Sequence, residues 1–280
     1  MNTLESLKND FKSLGISESD TVFIRGDLGK VGRIEGKKRE LFLQSLQEVI
    51  GKNGTIVSLG FTKAFPFYRV DKSFVFDSES LPITGALGKL FLNYPDCKRS
   101  SHPTNSFFAI GRNAKYIVDG HNEKSLSYSP IEKIIKLKAK MIVFGTILSS
   151  PGFTTVHYAQ EVLGLTQKSL FKGLYKVYYM KNGKKKLFVR KDAGGCSKGF
   201  SKFYQHYIHH GIVKLGCIGE STAMLVPADM AYKIEYELLT KDPSYLFCDD
   251  ISCLSCRATW SYDLKYTPYF IISKIFKRLF

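Results

Sequence analysis

The sequence predicts an α/β fold, a single domain in which a mixed central sheet is flanked by helices. Three observations carry that expectation. A strand–glycine loop–helix–strand order spans residues 21–59, a helix–strand alternation spans 131–146, and an alternating stretch over 174–192 turns at Asn182-Gly183. The first is a βαβ unit, which requires a parallel element, and the last is a hairpin, which adds antiparallel pairing. With 280 residues, 44% of them hydrophobic, the chain can bury a sizeable core. Its composition excludes disorder, collagen-like repeats and coiled coil.

The elements follow in order. Leu4, Leu7, Phe11 and Leu14 recur at intervals of three and four, predicting an amphipathic helix over residues 2–14. TVFIR (Thr21–Arg25) reads as a buried strand and runs into the turn-rich loop GDLGKVGRIEG. A helix over Lys38–Ile50 is stopped by Gly51 and Gly54 before the strand TIVSL. IEKIIKLKAK reads as helix, MIVFGT as buried strand, TTVHYAQEVLG as a helix start, and residues 198–240 as mainly helical. The end, TPYFIISKIFKRLF, interleaves Lys274, Lys277 and Arg278 with apolar residues. That pattern suits packing onto the domain or an acidic membrane face. No apolar run reaches the roughly 18 residues of a membrane-spanning helix. The opening MNTLESLKNDF has no apolar signal segment, so a soluble, cytoplasmic chain is expected.

Forty-one Lys and Arg against 25 Asp and Glu give a formal net charge of +16 and an isoelectric point near 9.4. Such an excess favours anionic partners: nucleic acid, a phosphate-bearing cofactor or an acidic membrane surface. The charge sits in small groups such as Lys37-Lys38-Arg39 and Lys184-Lys185-Lys186, as a solvated surface would carry it. The absence of a zinc-finger or RNP-like signature counts against dedicated nucleic-acid binding, and a basic nucleic-acid-binding protein stands as the competing reading from another class on charge alone.

Two phosphate-binding fingerprints fail at the first glycine loop. Gly29, Gly32 and Gly36 miss the G-x-G-x-x-G spacing, and Gly32-x3-Gly36-Lys37-Lys38 misses the P-loop by one residue and lacks its hydroxyl. Exposed backbone N–H groups ahead of a helix can still hold a phosphate, with Lys30 and Arg33 helping. A plain surface turn is the other reading.

Among the six cysteines, Cys248, Cys253 and Cys256 form C-x4-C-x2-C. That density suggests a thiolate metal site needing a fourth ligand from elsewhere. Cys196, in the flexible DAGGCSKGF, is the first candidate, with Cys217 and His206 behind it. Any zinc held there would be closed and structural. Three half-buried free thiols are the alternative. Of the six histidines, His206, His209 and His210 lie in a helical, Tyr-rich stretch, and His121 follows a glycine in a polar loop. His102 precedes Pro103 among hydroxyls. His157 stands near a helix start after a Pro-Gly turn, where an imidazole can act as a general base near neutrality.

Five segments in order over residues 20–165, with weaker similarity to about residue 240, make the chain resemble the aminoglycoside 3-N-acetyltransferase (antibiotic N-acetyltransferase) family. They are VFIRGDLGKVG, GKNGTIVSLGFT, RSSHPTNSFFAIGRNA, SPIEKIIKLKAKMIVFGT and TTVHYAQE. The resemblance implies that fold, a single acyltransferase domain over 1–280 with a cysteine-containing segment at about 245–280, and acyl-CoA as co-substrate. It implies direct transfer to an amino-sugar amine with His157 as base, Thr154 beside the reacting groups, and Gln160 where the family usually has Glu. CoA would be embraced by Arg25, Gly26, Asp27, Leu28, Gly29, Lys30, Val31 and Gly32, with Ser106 nearby, and His102 would face substrate. Gln160 can fix the imidazole tautomer but cannot stabilise an imidazolium. Glu161 turns about 100° away on a helix, so either another carboxylate such as Asp192 takes the role, or the enzyme manages without one, or activity has been lost. The positive charge favours an anionic acceptor, a nucleotide-linked amino sugar used for surface polysaccharides such as lipopolysaccharide O-antigen. The alternative acceptor is an aminoglycoside, with antibiotic resistance as the outcome.

Overall fold

Residues 1–169, 172–259 and 266–279 are described in the computed structural model. The first half contains α1 (Leu4–Leu14), β1 (Thr21–Gly26), α2 (Glu40–Ile50), β2 (Thr55–Phe61), β3 (Phe65–Pro66), β4 (Val75–Phe76), α3 (Gly85–Leu92), β5 (Lys98–Arg99), β6 (Asn105–Gly111) and α4 (Ala114–Val118). The second half contains α5 (Pro130–Lys136), β7 (Lys140–Phe144), α6 (Thr155–Val162), β8 (Tyr175–Lys181), β9 (Lys184–Val189) and α7 (Lys202–His209). It ends with β10 (Lys214–Ile218), β11 (Ser221–Pro227), α8 (Ala228–Lys241) and α9 (Tyr266–Leu279).

Seven strands form the main sheet in the order β10-β11-β7-β1-β2-β6-β5. β1 is parallel to β2, with Val22 opposite Ile56, and to β7, with Phe23 opposite Met141. The remaining pairs are antiparallel, so the expected mixed sheet flanked by helices is present. Side chains alternate across a strand, and that alternation sorts the core into two layers. Val22 and Ile24 pack with Leu7 and Phe11 of α1 and Leu43 and Leu46 of α2. Phe23 faces the other way, toward Ile131 of α5, Val156 of α6 and Ile234 of α8.

β8 and β9 form the expected hairpin, with Asn182 and Gly183 both at positive φ (51° and 71°), as a tight hairpin turn requires. They stand in a second, four-stranded sheet with β3 and β4. Residues 198–240 are mainly helical, as expected, but not throughout. β10 and β11 occupy their centre, and the apolar run Ala223–Val226 supplies the strand next to β7. A short apolar run does not tell strand from helix by itself. Nor is RSSHPTNSF only a polar loop, because β6 begins at Asn105.

In α9, Phe270 is buried while Ile272, Ile275 and Phe276 are exposed; the side chains of Lys277 and Arg278 lie outside the described residues, as do Phe280 and the Lys37 side chain. Among the described residues no helix is long and apolar enough to cross a membrane.

Candidate active site

In open α/β sheets a crevice forms beyond the carboxyl ends of parallel strands, where connections diverge. Here β1 connects through α2 to β2 on one side, and β7 lies on the other. Arg25 stands near the end of β1, Phe61 ends β2, and the loop after β7 leads into α6. His157 sits in the first turns of α6 and lines two adjoining cavities, of about 630 Å³ and about 180 Å³. The larger also takes Thr104, Asn105, Tyr128 and Arg190 into its wall. The smaller is lined by Arg25 and by Ser150, Gly152 and Thr154 of the β7–α6 connection.

Among the described residues, the half-buried imidazole is held on three sides. It lies flat on Tyr128, with centroids 4.5 Å apart and planes 11° from parallel, and meets Phe200 edge-on at 4.9 Å. Its Nδ1 is 3.2 Å from Oε1 of the buried Gln160. Burial pushes the His157 pKa down to about 4; Gln160 works against that, and the positive charges of Arg190 and Arg25 add to it. The ring is therefore neutral at pH 7.

Arg25 is clamped by backbone carbonyls rather than by a carboxylate. Nη2 donates to Ser150 O at 2.8 Å and also to Gly152 O. Burial brings its pKa down to about 10, which still leaves it charged. Tyr204 staples the same connection: its hydroxyl accepts from the Gly152 N–H at 2.7 Å and donates to Ile147 O at 3.0 Å. Thr154, 4% exposed, precedes α6, and its carbonyl accepts the His157 N–H at 3.1 Å.

Asp192 does not support His157 directly. It pairs with Arg190 Nε at 2.6 Å and accepts from the backbone N–H and hydroxyl of Ser127, both at 2.9 Å. Burial would raise its pKa, but Arg190 and these donors hold it below the ordinary carboxylate value. Glu161, as its position on α6 predicts, faces elsewhere and accepts the Tyr128 N–H at 2.8 Å. Burial and the neighbouring Asp192 push its pKa well up.

Two expectations are corrected. His102 lines neither cavity: it is 1% exposed and stacks on His121 with centroids 4.7 Å apart. Its Nδ1 accepts the Asn105 N–H at 3.0 Å, so it shapes the turn that brings Thr104 and Asn105 to the cavity. Ser106 is also buried, donating to Gly60 O and accepting from Arg99 Nε at 3.0 Å.

The glycine loop does not reach the histidine as a unit either. Residues Leu28–Val31 form a 3₁₀ turn capped by Asp27, whose carboxylate accepts the Gly29 N–H at 3.0 Å, and Leu28 and Val31 point into the core. Gly26 is glycine because a Cβ would lie 2.3 Å from Phe144 O, which fits the close β1–β7 approach. Gly32, at φ 88°, faces the Glu220 carboxylate, which a Cβ would meet at 2.4 Å. Gly29 and Gly32 line a separate cavity with Arg33, and Lys30 reaches Gly145 O at 2.7 Å. Only Arg25 of this set lines a cavity with His157.

Sequence reasoning missed Tyr128, Arg190, Thr104 and the 150–153 connection. The signal available was the SYSP stretch ahead of α5 and the isolated Arg190-Lys191-Asp192 triplet ending the hairpin. The cysteines do meet: the Sγ atoms of Cys196, Cys248, Cys253 and Cys256 lie within 4.8 Å of one another. Cys217 is exposed on β10, and His206 bonds the Tyr245 hydroxyl at 2.7 Å, so neither alternative ligand joins them.

Comparison with known proteins bears on the whole site. The family pattern described as aminoglycoside 3-N-acetyltransferase matches residues 23–240. The chain is similar to aminoglycoside N(3)-acetyltransferase III of Serratia marcescens, 28% identical over 184 residues that cover 60% of this chain and 67% of the relative. It is also similar to the aminoglycoside N(3′)-acetyltransferase-like protein YokD of Bacillus subtilis, 28% identical over 178 residues, 56% of this chain and 64% of the relative. The matched stretch thus spans about two thirds of these relatives' length. Among solved structures, AAC-IIIb with CoASH superposes with a TM-score of 0.74 at 22% identity, covering 86% of this chain and 97% of that one. AAC-VIa bound to sisomicin gives 0.70 at 21% identity, covering 86% and 98%. These likenesses match the observed sheet and flanking helices. With the pattern running across most of its length, the chain belongs to the aminoglycoside 3-N-acetyltransferase family, a family of N-acetyltransferase enzymes.

Proposed function

We propose that the chain transfers an acetyl group from acetyl-CoA to an amine of an aminoglycoside, by direct attack with His157 as general base. The observation that carries this reading is the position of His157 on the shared border of two cavities. A direct transfer needs two substrates to meet at one base. The larger cavity suits a sugar acceptor. The smaller, with the Arg25 charge in its wall, suits the thioester end of an anionic donor.

The step is balanced within the site. The amine nitrogen attacks the thioester carbonyl carbon while His157 takes its proton. The C–S bond then breaks, the sulfur leaves as thiolate, and the imidazolium returns the proton to it. Gln160 supports this cycle in one respect: an amide oxygen only accepts, so Nδ1 carries the hydrogen and the basic lone pair falls on Nε2. Arg25 supplies positive charge where the carbonyl oxygen gains electrons. CoA contact through the 26–32 turn and Ser106 has no geometric support beside His157. Thr154 retains a place in the wall.

The relatives are named for aminoglycosides, and a solved neighbour holds sisomicin, so they back that acceptor over the nucleotide-linked amino sugar. One observation keeps the second reading in view. Neither cavity wall contains a carboxylate among the described residues, and the chain carries +16, a poor electrostatic match for a polycation. Steady-state kinetics with acetyl-CoA against gentamicin-type drugs and nucleotide-linked amino sugars decides the matter. A higher kcat/KM for the drugs is expected, and preference for the nucleotide-linked sugar selects the second reading. No transfer to any amine would overturn both.

A further inference from the structure

Four of the six cysteines converge from two stretches of chain far apart in sequence. Cys196 follows the hairpin, while Cys248, Cys253 and Cys256 come after α8. Their sulfurs all lie within 4.8 Å of one another, and those of Cys248 and Cys256 are 3.6 Å apart. Disulfides bring sulfurs to about 2.05 Å and join them in pairs. A tetrahedron of thiolates each about 2.3 Å from a zinc ion has an edge of about 3.8 Å, which is the arrangement approached here.

The surroundings suit negatively charged sulfur. The Lys198 N–H donates to Cys196 Sγ at 3.3 Å, and the Cys248 N–H donates to Cys256 Sγ at 3.4 Å. Donors of this kind orient ligands from outside the coordination sphere. Four thiolates around a divalent ion leave two negative charges, and cations stand close by. Arg257 reaches Cys248 O at 3.1 Å, while Lys202 reaches Phe247 O at 2.7 Å and Asp249 at 3.0 Å.

We propose that Cys196, Cys248, Cys253 and Cys256 bind one zinc ion in a closed site that clips two parts of the His157 cavity wall together. Gly194, Gly195 and Ser197 flank Cys196, Leu254 and Ser255 lie between Cys253 and Cys256, and all five line the larger cavity. Four soft ligands in a tetrahedron select zinc over harder divalent ions. Each thiol gives up its proton as its sulfur bonds the ion, and the protons pass to solvent. No coordination position remains for substrate or water, so the metal builds the wall and takes no part in acyl transfer.

The test reads metal rather than turnover, so its outcome is independent of the acetyl-transfer reading. The full chain, purified without chelator from zinc-replete culture, is expected to contain one zinc per chain. Cobalt(II) exchange is expected to produce the visible bands of tetrahedral thiolate coordination. Cys196→Ser and Cys253→Ser are expected to lose the ion under mild chelation that leaves the parent loaded, while Cys217→Ser keeps it. Should the serine variants misfold, a thiol-capping mercurial on the parent chain is expected to release zinc in proportion to four capped thiols. A chain that is free of zinc and takes up neither zinc nor cobalt overturns the proposal. So does one iron per chain in place of zinc, or a cobalt spectrum unchanged in Cys196→Ser.

Discussion

Nδ1 of His157 stands 3.2 Å from the amide oxygen of Gln160, one turn along the same helix. An amide fixes the tautomer without stabilising an imidazolium, and burial has brought the imidazole down to about 4. Gln160→Glu therefore places an anion within contact of the ring. Opposite charges at such range shift a pKa by about 1–3 units, here upward. The acidic limb of the kcat/KM profile should move up by that amount, and an unmoved limb would remove the pair from the mechanism.

His157→Ala tests the base itself. Loss of a positioned general base lowers turnover by about a hundredfold or more. CoA affinity by calorimetry and the thermal midpoint should stay near those of the parent. Unchanged turnover would exclude His157.

His102 makes a different prediction, because it acts through the turn it holds. His102→Ala leaves the buried Asn105 N–H without its acceptor, a loss of about 1–3 kcal/mol. Thr104 and Asn105 line the acceptor side. The expected signature in steady-state kinetics is a raised acceptor KM with kcat little altered.

Glu235 tests the support beneath α6. It is fully buried, accepts from Thr155 Oγ1 at 2.7 Å and from the Tyr207 hydroxyl, and burial raises its pKa from 4.5 to about 8. The unfolded chain releases this proton at lower pH than the folded one, so stability falls as pH rises from about 4.5 to about 8. At pH 7 the loss is on the order of 3 kcal/mol. Glu235→Gln keeps an accepting oxygen and removes that loss. Thermal melts should show the variant equal to the parent near pH 4 and more stable at pH 8.

Arg190 and Asp192 form a buried pair at 2.6 Å, their side chains 14% and 2% exposed. Asp192→Asn leaves the guanidinium without its counter-ion, which costs about 3–5 kcal/mol in such pairs. Chemical denaturation should show that loss. It should also show a smaller one for the double change Arg190→Met with Asp192→Leu, because no unpaired charge is then left inside.

Much of this was legible in the sequence because it is local. The spacing of Leu7, Phe11 and Leu14 gave α1, the Asn182-Gly183 turn gave the hairpin, and His157 with Gln160 at i,i+3 gave the central contact. What was missed depends on distant partners. Ala223–Val226 is a strand because β7 lies beside it. Arg190 reaches the cavity through the second sheet, and His102 faces inward because His121 and Phe188 close over it. The glycines at 26 and 32 were read as ligand contacts, yet each answers a neighbour whose closeness no local pattern encodes. Residue 196 is legible as the fourth member because the glycines before it free its backbone to reach the other cysteines.

The rim supplied by Leu254 and Ser255 lies beyond the stretch, residues 23–240, over which the family pattern runs. His157 and Gln160 fall inside that stretch, while part of the larger cavity's wall is built by residues outside it. A change at Leu254 or Ser255 therefore reshapes the larger cavity without touching the His157–Gln160 contact.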